Sequence, residues 1–141
     1  MPNRIAHATW EGDLRTGRGK MIIGDNFFEG PFSFASRFEE GPGTNPEELI
    51  GAANAGCFSM AFSLELGKAG YTPKRISTKA TTTLGRVDDK PRITKIHLET
   101  EAEIPGIDQA TFLKIAEGAK NGCPVSAALA GVEITLDARL V

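Results

Sequence analysis

Two cysteines, Cys57 and Cys123, are the residues of this chain best suited to covalent chemistry. A thiolate is a strong nucleophile, whereas an unionised thiol among apolar groups is inert. Cys57 stands inside the apolar run AANAGCFSMAF (residues 52–62), where desolvation lifts a thiol above its usual pKa of ~8.5. A working thiolate there needs a cation within reach. Arg37, in the aromatic- and glycine-rich segment SFASRFEEGPG, is the candidate. Its guanidinium keeps its proton and offers donors to a thiolate and a carboxylate together. Glu47 is the carboxylate that could orient it. Cys123 differs, because Gly122 before it allows a close backbone approach and Pro124 after it marks a helix start. A sulfur at a helix N-terminus has its anion stabilised. Local physics therefore makes Cys123 the more acidic thiol, without saying which cysteine attacks first. The plain alternatives are two cysteines as small core hydrophobes, a surface Arg37, and Glu47 as an acidic residue suited to a helix's first turn.

Other chemistries have little support. Two histidines and two cysteines could bind zinc, but no close-spaced pair nucleates a site, and His7 and His97 fall in strand patterns. TGRGK (residues 16–20) lacks the later glycine, the Lys-Ser/Thr pair and the helix context of a phosphate loop. No Gly-x-Ser-x-Gly elbow is present for a serine nucleophile.

The positioning elements are legible from periodicity. Residues 4–11 and 17–23 read as strands joined by a turn containing Gly12, Asp13 and Gly17. Residues 24–43 read as a packed loop rich in Gly, Pro and Phe, with a short strand at 31–36. A helix then starts with Asn45 as cap, Pro46 at the first helical position and Glu47 and Glu48 in the first turn, Asn45 and Glu48 resembling a capping box. It runs to Lys68, with Gly70 as its stop. Leu49, Ala53, Cys57, Met60 and Leu64 form one apolar stripe, and Ile50, Phe58, Ala61 and Phe62 another. A helix apolar nearly all round is buried nearly all round. A chain of 141 residues has few elements to surround it, so the pattern predicts a homodimer with this helix central. Glu47 and Cys57 are ten residues apart, roughly 15 Å along a helix axis. They share a site only if the helix breaks or if two subunits contribute. Strands follow at 75–84 and 95–104 around a turn at 86–91, then a helix over 108–121 capped by Asp108, a short helix from Cys123-Pro124 to Ala130, and a strand at 132–140. The order indicates a single α+β domain over 1–141, built on antiparallel sheet.

Hydrophobic residues make up 40% and charged residues 24% of the chain, the balance of a folded globule rather than a disordered chain. A net charge of −2 argues against nucleic acid as a partner. The apolar stretch Leu49–Leu64 falls short of the ~20 residues of a membrane span. The opening MPNRIAHATW lacks the apolar core of an export signal, and paired cysteines in a reducing compartment lean toward catalysis, sensing or metal. A cytoplasmic location is expected.

The string GTNPEELIGAANAGCFSMAFSLELGKAGYTP (residues 43–73) resembles the central helix of the OsmC/Ohr family, and NGCPVSAAL (residues 121–129) its second cysteine segment. AHATWEGDLRTGRG (6–19) and RFEEGPGTNPEEL (37–49) resemble the OsmC branch more than the organic-hydroperoxide-resistance branch. The resemblance implies a thiol peroxidase acting on organic hydroperoxides, and more weakly on hydrogen peroxide, in oxidative and osmotic stress defence. It implies a peroxidatic Cys57, a resolving Cys123, and Arg37 and Glu47 polarising the site. It also implies an intertwined homodimer of sheets around two central helices, no bound cofactor, and an external dithiol reductant of lipoyl type. The sequence departs from the family pattern at Asn54, where His or Tyr is common, and at Gly56, where Ala is common. Phe58, Met60 and Phe62, with Phe27 or Phe28, could favour organic peroxides, or could be plain core. The rival reading is a non-catalytic stress protein, ligand binder or redox sensor with buried cysteines.

Overall fold

The computed structural model describes residues 1–141. The chain divides into two compact units, Met1–Leu49 and Ile50–Val141.

In the first unit, strands β1 (Ala6–Glu11), β2 (Arg18–Ile23) and β3 (Phe28–Phe32) form an antiparallel sheet in that order. The turn between β1 and β2 is held by Asp13, whose carboxylate accepts from the N–H groups of Arg15 (2.9 Å) and Thr16 (3.0 Å), the local bonding that makes Asp a turn residue. The short strand expected at 31–36 lies at 28–32 instead. Behind it comes a short helix, α1 (Phe34–Phe38), within the stretch whose composition predicts a loop. Its signal was the Ser33/Ser36 pair: each hydroxyl accepts from the other's backbone N–H, at 3.1 and 2.9 Å. This closes a serine version of the capping box.

Helix α2 (Pro46–Lys68) begins at the end of this unit, with its bounds as expected. Asn45 accepts from the Glu48 N–H at 2.8 Å, and its amide donates to the Ser36 carbonyl at 3.0 Å. At the other end, Gly70 has φ +89, the left-handed stop that glycine adopts without strain. By length and composition α2 could cross a membrane, at mean hydropathy 1.3 over its best window. However, Phe58, Phe62 and Leu66 are fully buried in protein, beside the polar Asn54.

The second unit holds most of α2, the hairpin β4 (Arg75–Val87) and β5 (Lys90–Glu103), helices α3 (Gln109–Gly122) and α4 (Pro124–Ala128), and β6 (Glu133–Leu140). The hairpin is longer than expected and its turn shorter: Asp88 and Asp89 alone make it, at φ +51 and +59. Two central residues at positive φ match the right-handed twist of the strands, so pairing continues to the tip. Asp108 caps α3 as expected, accepting from the Thr111 N–H at 2.9 Å. One expectation needs correction. The sheet is not wholly antiparallel, because β6 pairs with β5 in parallel. Residues 104–132, with two helices, separate the strands, and a helical crossover returns the chain in the same direction where a tight turn cannot.

Sheet and helices enclose a core of Phe58, Phe62 and Leu66 from α2, Ile96, Leu98 and Ala102 from β5, and Phe112, Ala116 and Ala119 from α3. The Phe62 ring lies 5.6 Å from Phe58 and 5.7 Å from Phe112. Gly51 permits the approach of α2 to β4: a Cβ there would stand 2.8 Å from the Thr82 hydroxyl. The alternation read from the sequence holds. Ile96, Leu98, Thr100 and Ala102 turn inward, while the outer face carries ion pairs such as Lys79–Glu99 (3.1 Å).

Candidate active site

The four residues singled out from the sequence fall into two pairs. In the first unit, Arg37 occupies the last turn of α1 and Glu47 the first turn of α2. The Arg37 Nη2 lies 2.8 Å from Glu47 Oε1, and Nε stands 3.2 and 3.3 Å from the two carboxylate oxygens. Glu47 is 7% exposed, whereas the Arg37 side chain is 38% exposed. The forked contact fixes the plane of the guanidinium. It leaves Nη1 free of any hydrogen bond within the protomer. Trp10, Leu14, Phe32, Ser33, Phe34 and Phe38 line a cavity of about 240 Å³ with Arg37, so the aromatic residues around the cation form a pocket.

In the second unit, Cys57 on α2 meets Cys123 at the junction of α3 and α4. Both are free thiols. The Cys57 S–H donates to the Cys123 sulfur, and the two titrate against each other. Cys57 is pushed above the ordinary thiol value of 9.0, first by burial, then by the hydrogen bond it donates to Cys123, with the charge of Cys123 adding to both. At Cys123 burial also opposes ionisation. Hydrogen bonds from Cys57, from the Ser126 N–H and hydroxyl and from the Val125 N–H outweigh it and hold the thiol below 9.0. Cys123 is thus the more acidic of the two in the chain taken alone, as its setting beside Pro124 indicated.

Access runs the other way. Cys123 is fully buried and Cys57 half-buried. Cys57 opens on a groove of about 710 Å³ lined by Met60, Ala61, Leu64, Gly118, Gly122 and Pro124, among others. Only a sulfur at a surface can meet a solute, so Cys57 is the sulfur an incoming molecule reaches. Gly122 does not mediate a close backbone approach, since a Cβ there would meet nothing within 4 Å; the same holds at Gly56. Of the residues expected to flank a substrate, Phe58 and Phe62 are core, while Met60, 77% exposed, borders the groove.

Helix α2 is unbroken from Pro46 to Lys68. Glu47 and Cys57 therefore stand roughly 15 Å apart along one axis, and the broken-helix route to a shared site is closed. No group of three or more His, Cys, Asp or Glu side chains is placed to hold a metal ion.

The family model of the OsmC-like proteins matches residues 39–137. The chain belongs to the OsmC family. This OsmC-family chain is 52% identical over 139 residues to Peroxiredoxin OsmC of Escherichia coli (strain K12), covering 98% of this chain and 96% of that protein. It is 29% identical over 135 residues to the Organic hydroperoxide resistance protein of Xanthomonas axonopodis pv. citri, covering 93% and 91%. Among solved structures, an OsmC-like protein from Vibrio cholerae superposes with a TM-score of 0.79 at 18% identity, covering 98% of this chain and 99% of that one. An organic hydroperoxide resistance protein OsmC from Legionella pneumophila superposes at 0.75 and 24% identity, covering 99% and 98%. These establish the OsmC-like α+β fold.

Two site residues escaped the sequence reading. Ser126 donates to Cys123 twice, and Asn54, noted only as a departure from the family pattern, is fully buried and donates to the Ser126 hydroxyl. The signal was present in CPVS, where a hydroxyl three residues after the cysteine returns to it across the first turn of α4.

Proposed function

We propose that this OsmC-family chain is a thiol peroxidase that reduces organic hydroperoxides through Cys57 and Cys123. The observation that carries this reading is a groove-facing sulfur beside a sealed, more acidic one, near enough for each to shift the other's ionisation. Such a pair lets the first sulfur take an oxygen and the second remove it without solvent intervening. The 52% identity to a peroxiredoxin and the likeness to an organic hydroperoxide resistance protein support the same chemistry.

In the proposed cycle the Cys57 thiolate attacks the outer oxygen of ROOH. The O–O bond breaks, ROH leaves with a proton, and Cys57 becomes a sulfenic acid. Cys123 then displaces hydroxide from that sulfur and the Cys57–Cys123 disulfide forms. An external dithiol, in this reading of lipoyl type, reduces it. The groove beside Cys57 suits an apolar R group, hence organic peroxides over hydrogen peroxide. Catalysis needs no bound cofactor or metal in this scheme.

Cys57 alone is a poor thiolate, so a cation must come to it. We assign that role to Arg37 of the partner subunit in a homodimer. Three features support this: α2 is continuous, the free Nη1 of Arg37 is available, and the α2 face carrying Met60 and Leu64 is uncovered, at 77% and 59% exposure. Residues 1–141 then act as one OsmC-like domain per subunit, in the cytoplasm, within oxidative and osmotic stress defence.

The test is turnover of cumene hydroperoxide with a dithiol reductant, with thiol mass spectrometry. The parent protein should form a Cys57–Cys123 disulfide, Cys57→Ser should abolish turnover, and Arg37→Met should slow sulfenic acid formation by about 10²-fold, the usual loss for one charge-stabilising donor. Full turnover in Cys57→Ser would remove the assigned roles.

A further inference from the structure

Asn54 is an unusual residue to find where it is. It is wholly buried, on the core-facing side of α2. Its Nδ2 donates to the Ser126 hydroxyl at 3.1 Å and lies 4.0 Å from the Cys123 sulfur. Its Oδ1 is sealed from solvent with no hydrogen-bond partner. A buried amide left half-unsatisfied is costly and calls for an explanation. The Ser126 hydroxyl, which accepts from Asn54, in turn donates to Cys123. Amide, hydroxyl and sulfur thus form a chain of donors ending on Cys123, and each donor polarises the next.

We infer that Asn54, acting with Ser126, is a positioning residue for Cys123 that sets the rate at which the Cys57 sulfenic acid is resolved. The inference rests on the peroxidase reading above and concerns only its second step. In that step the Cys123 thiolate attacks the Cys57 sulfur. The S–S bond forms, the S–O bond breaks with its electron pair going to oxygen, and the departing hydroxide takes up a proton to become water. Cys123 is oxidised and Cys57 reduced. The attacking species is the anion, and the Asn54–Ser126 pair favours that anion through donors alone, with no charge of its own. Cys57 is the titratable group facing Cys123; the flanking residues that bond it, Val125 and Ser126, are neutral.

The first step supplies the control, since Asn54 and Ser126 do not line the groove that a peroxide enters. The experiment compares Asn54→Leu, alike in branched shape but without donors, and Ser126→Ala with the parent in single-turnover reactions with cumene hydroperoxide. Sulfenic acid is trapped with dimedone and disulfide is counted by mass spectrometry. Sulfenic acid should form at the parental rate, while disulfide formation slows about tenfold at neutral pH and its pH profile moves up by roughly one unit, the shift equivalent to a tenfold loss of thiolate. Thiolate absorbance at 240 nm in the Cys57→Ser background should show the Cys123 midpoint rising in both variants, a readout that loosened packing alone does not produce. If the parent forms no sulfenic acid at Cys57, the peroxidase reading fails. If it does, and both variants resolve at the parental rate with an unmoved Cys123 midpoint, the assignment of Asn54 is overturned. Should Asn54→Leu not fold, Ser126→Ala decides alone, with an unchanged rate and midpoint counting against the proposal.

Discussion

The two sides of α2 are close to equal in apolar character and opposite in fate. One side, Phe58, Phe62 and Leu66, is fully buried against β5 and α3. The other, with Met60 and Leu64, is left largely bare. A helix with a polar back needs one covering layer; a helix with two apolar faces needs two, and the unit that holds it supplies only one. Cys57 sits at the border, its sulfur touching the covered side at Cys123 and opening on the groove of the bare side. The difference teaches that the covered face carries the stability of the unit, while the bare face holds the groove beside Cys57 and, in the proposed dimer, would be shared between substrate and a second subunit.

The sharpest way to separate the faces is to damage each in turn. Phe62→Ala removes a ring packed against two others and should cost about 3–5 kcal/mol of unfolding free energy, read by urea denaturation. A loss below ~1 kcal/mol would mean that the face is not the core it looks to be. Met60→Glu should leave the fold of the unit intact but weaken self-association by roughly 100-fold, because an unpaired charge would be buried in the proposed dimer. Sedimentation velocity checks this, and an unaltered dimer would exclude the bare face as its interface. Gly56→Ala meets no neighbour within the protomer and should add about 1 kcal/mol of helix stability with peroxide turnover unchanged; slower turnover would show that the missing side chain admits the peroxide.

The smallest effect is electrostatic. Cys57 is held above 9.0 and Cys123 below it. A depressed thiol stabilises the fold above its unfolded pKa, and that contribution is lost as pH falls through the folded value. A raised one stabilises below the unfolded pKa and loses its contribution as pH rises through the folded value. Cys57→Ala removes the donor on which Cys123 depends, so the thiolate absorbance of Cys123 should titrate at higher pH and its alkaline stabilisation should shrink. A midpoint that stays in place would mean that Ser126 and Val125 hold the anion unaided.

Much of this was legible in residue patterns. Asn45, Pro46 and Gly70 bracketed α2 correctly because caps and stops act within a few residues. The alternation in β4, β5 and β6 showed which residues face the core, since a strand has period two. The direction of β6 was not legible, because alternation reads the same from either end. Helix α1 was hidden by its length: five residues carry too little periodicity, and its evidence lay in Ser33 and Ser36 alone. At the site, the acidity of Cys123 followed from its neighbours in sequence, but the amide of Asn54 reaches it from 69 positions away. No local rule registers such a contact.

The link that Asn45 makes has a consequence for how this protein can vary. Surface loops ordinarily tolerate insertions. Here the stretch from Glu39 to Thr44 is anchored at both margins: Asn45 grips the carbonyl of Ser36 while starting α2, and Glu47 grips the next residue, Arg37. One added residue would slide the guanidinium off its carboxylate while leaving every strand and helix able to form. The connection is a spacer of fixed length, and variants altered there should fold normally and be chemically mute.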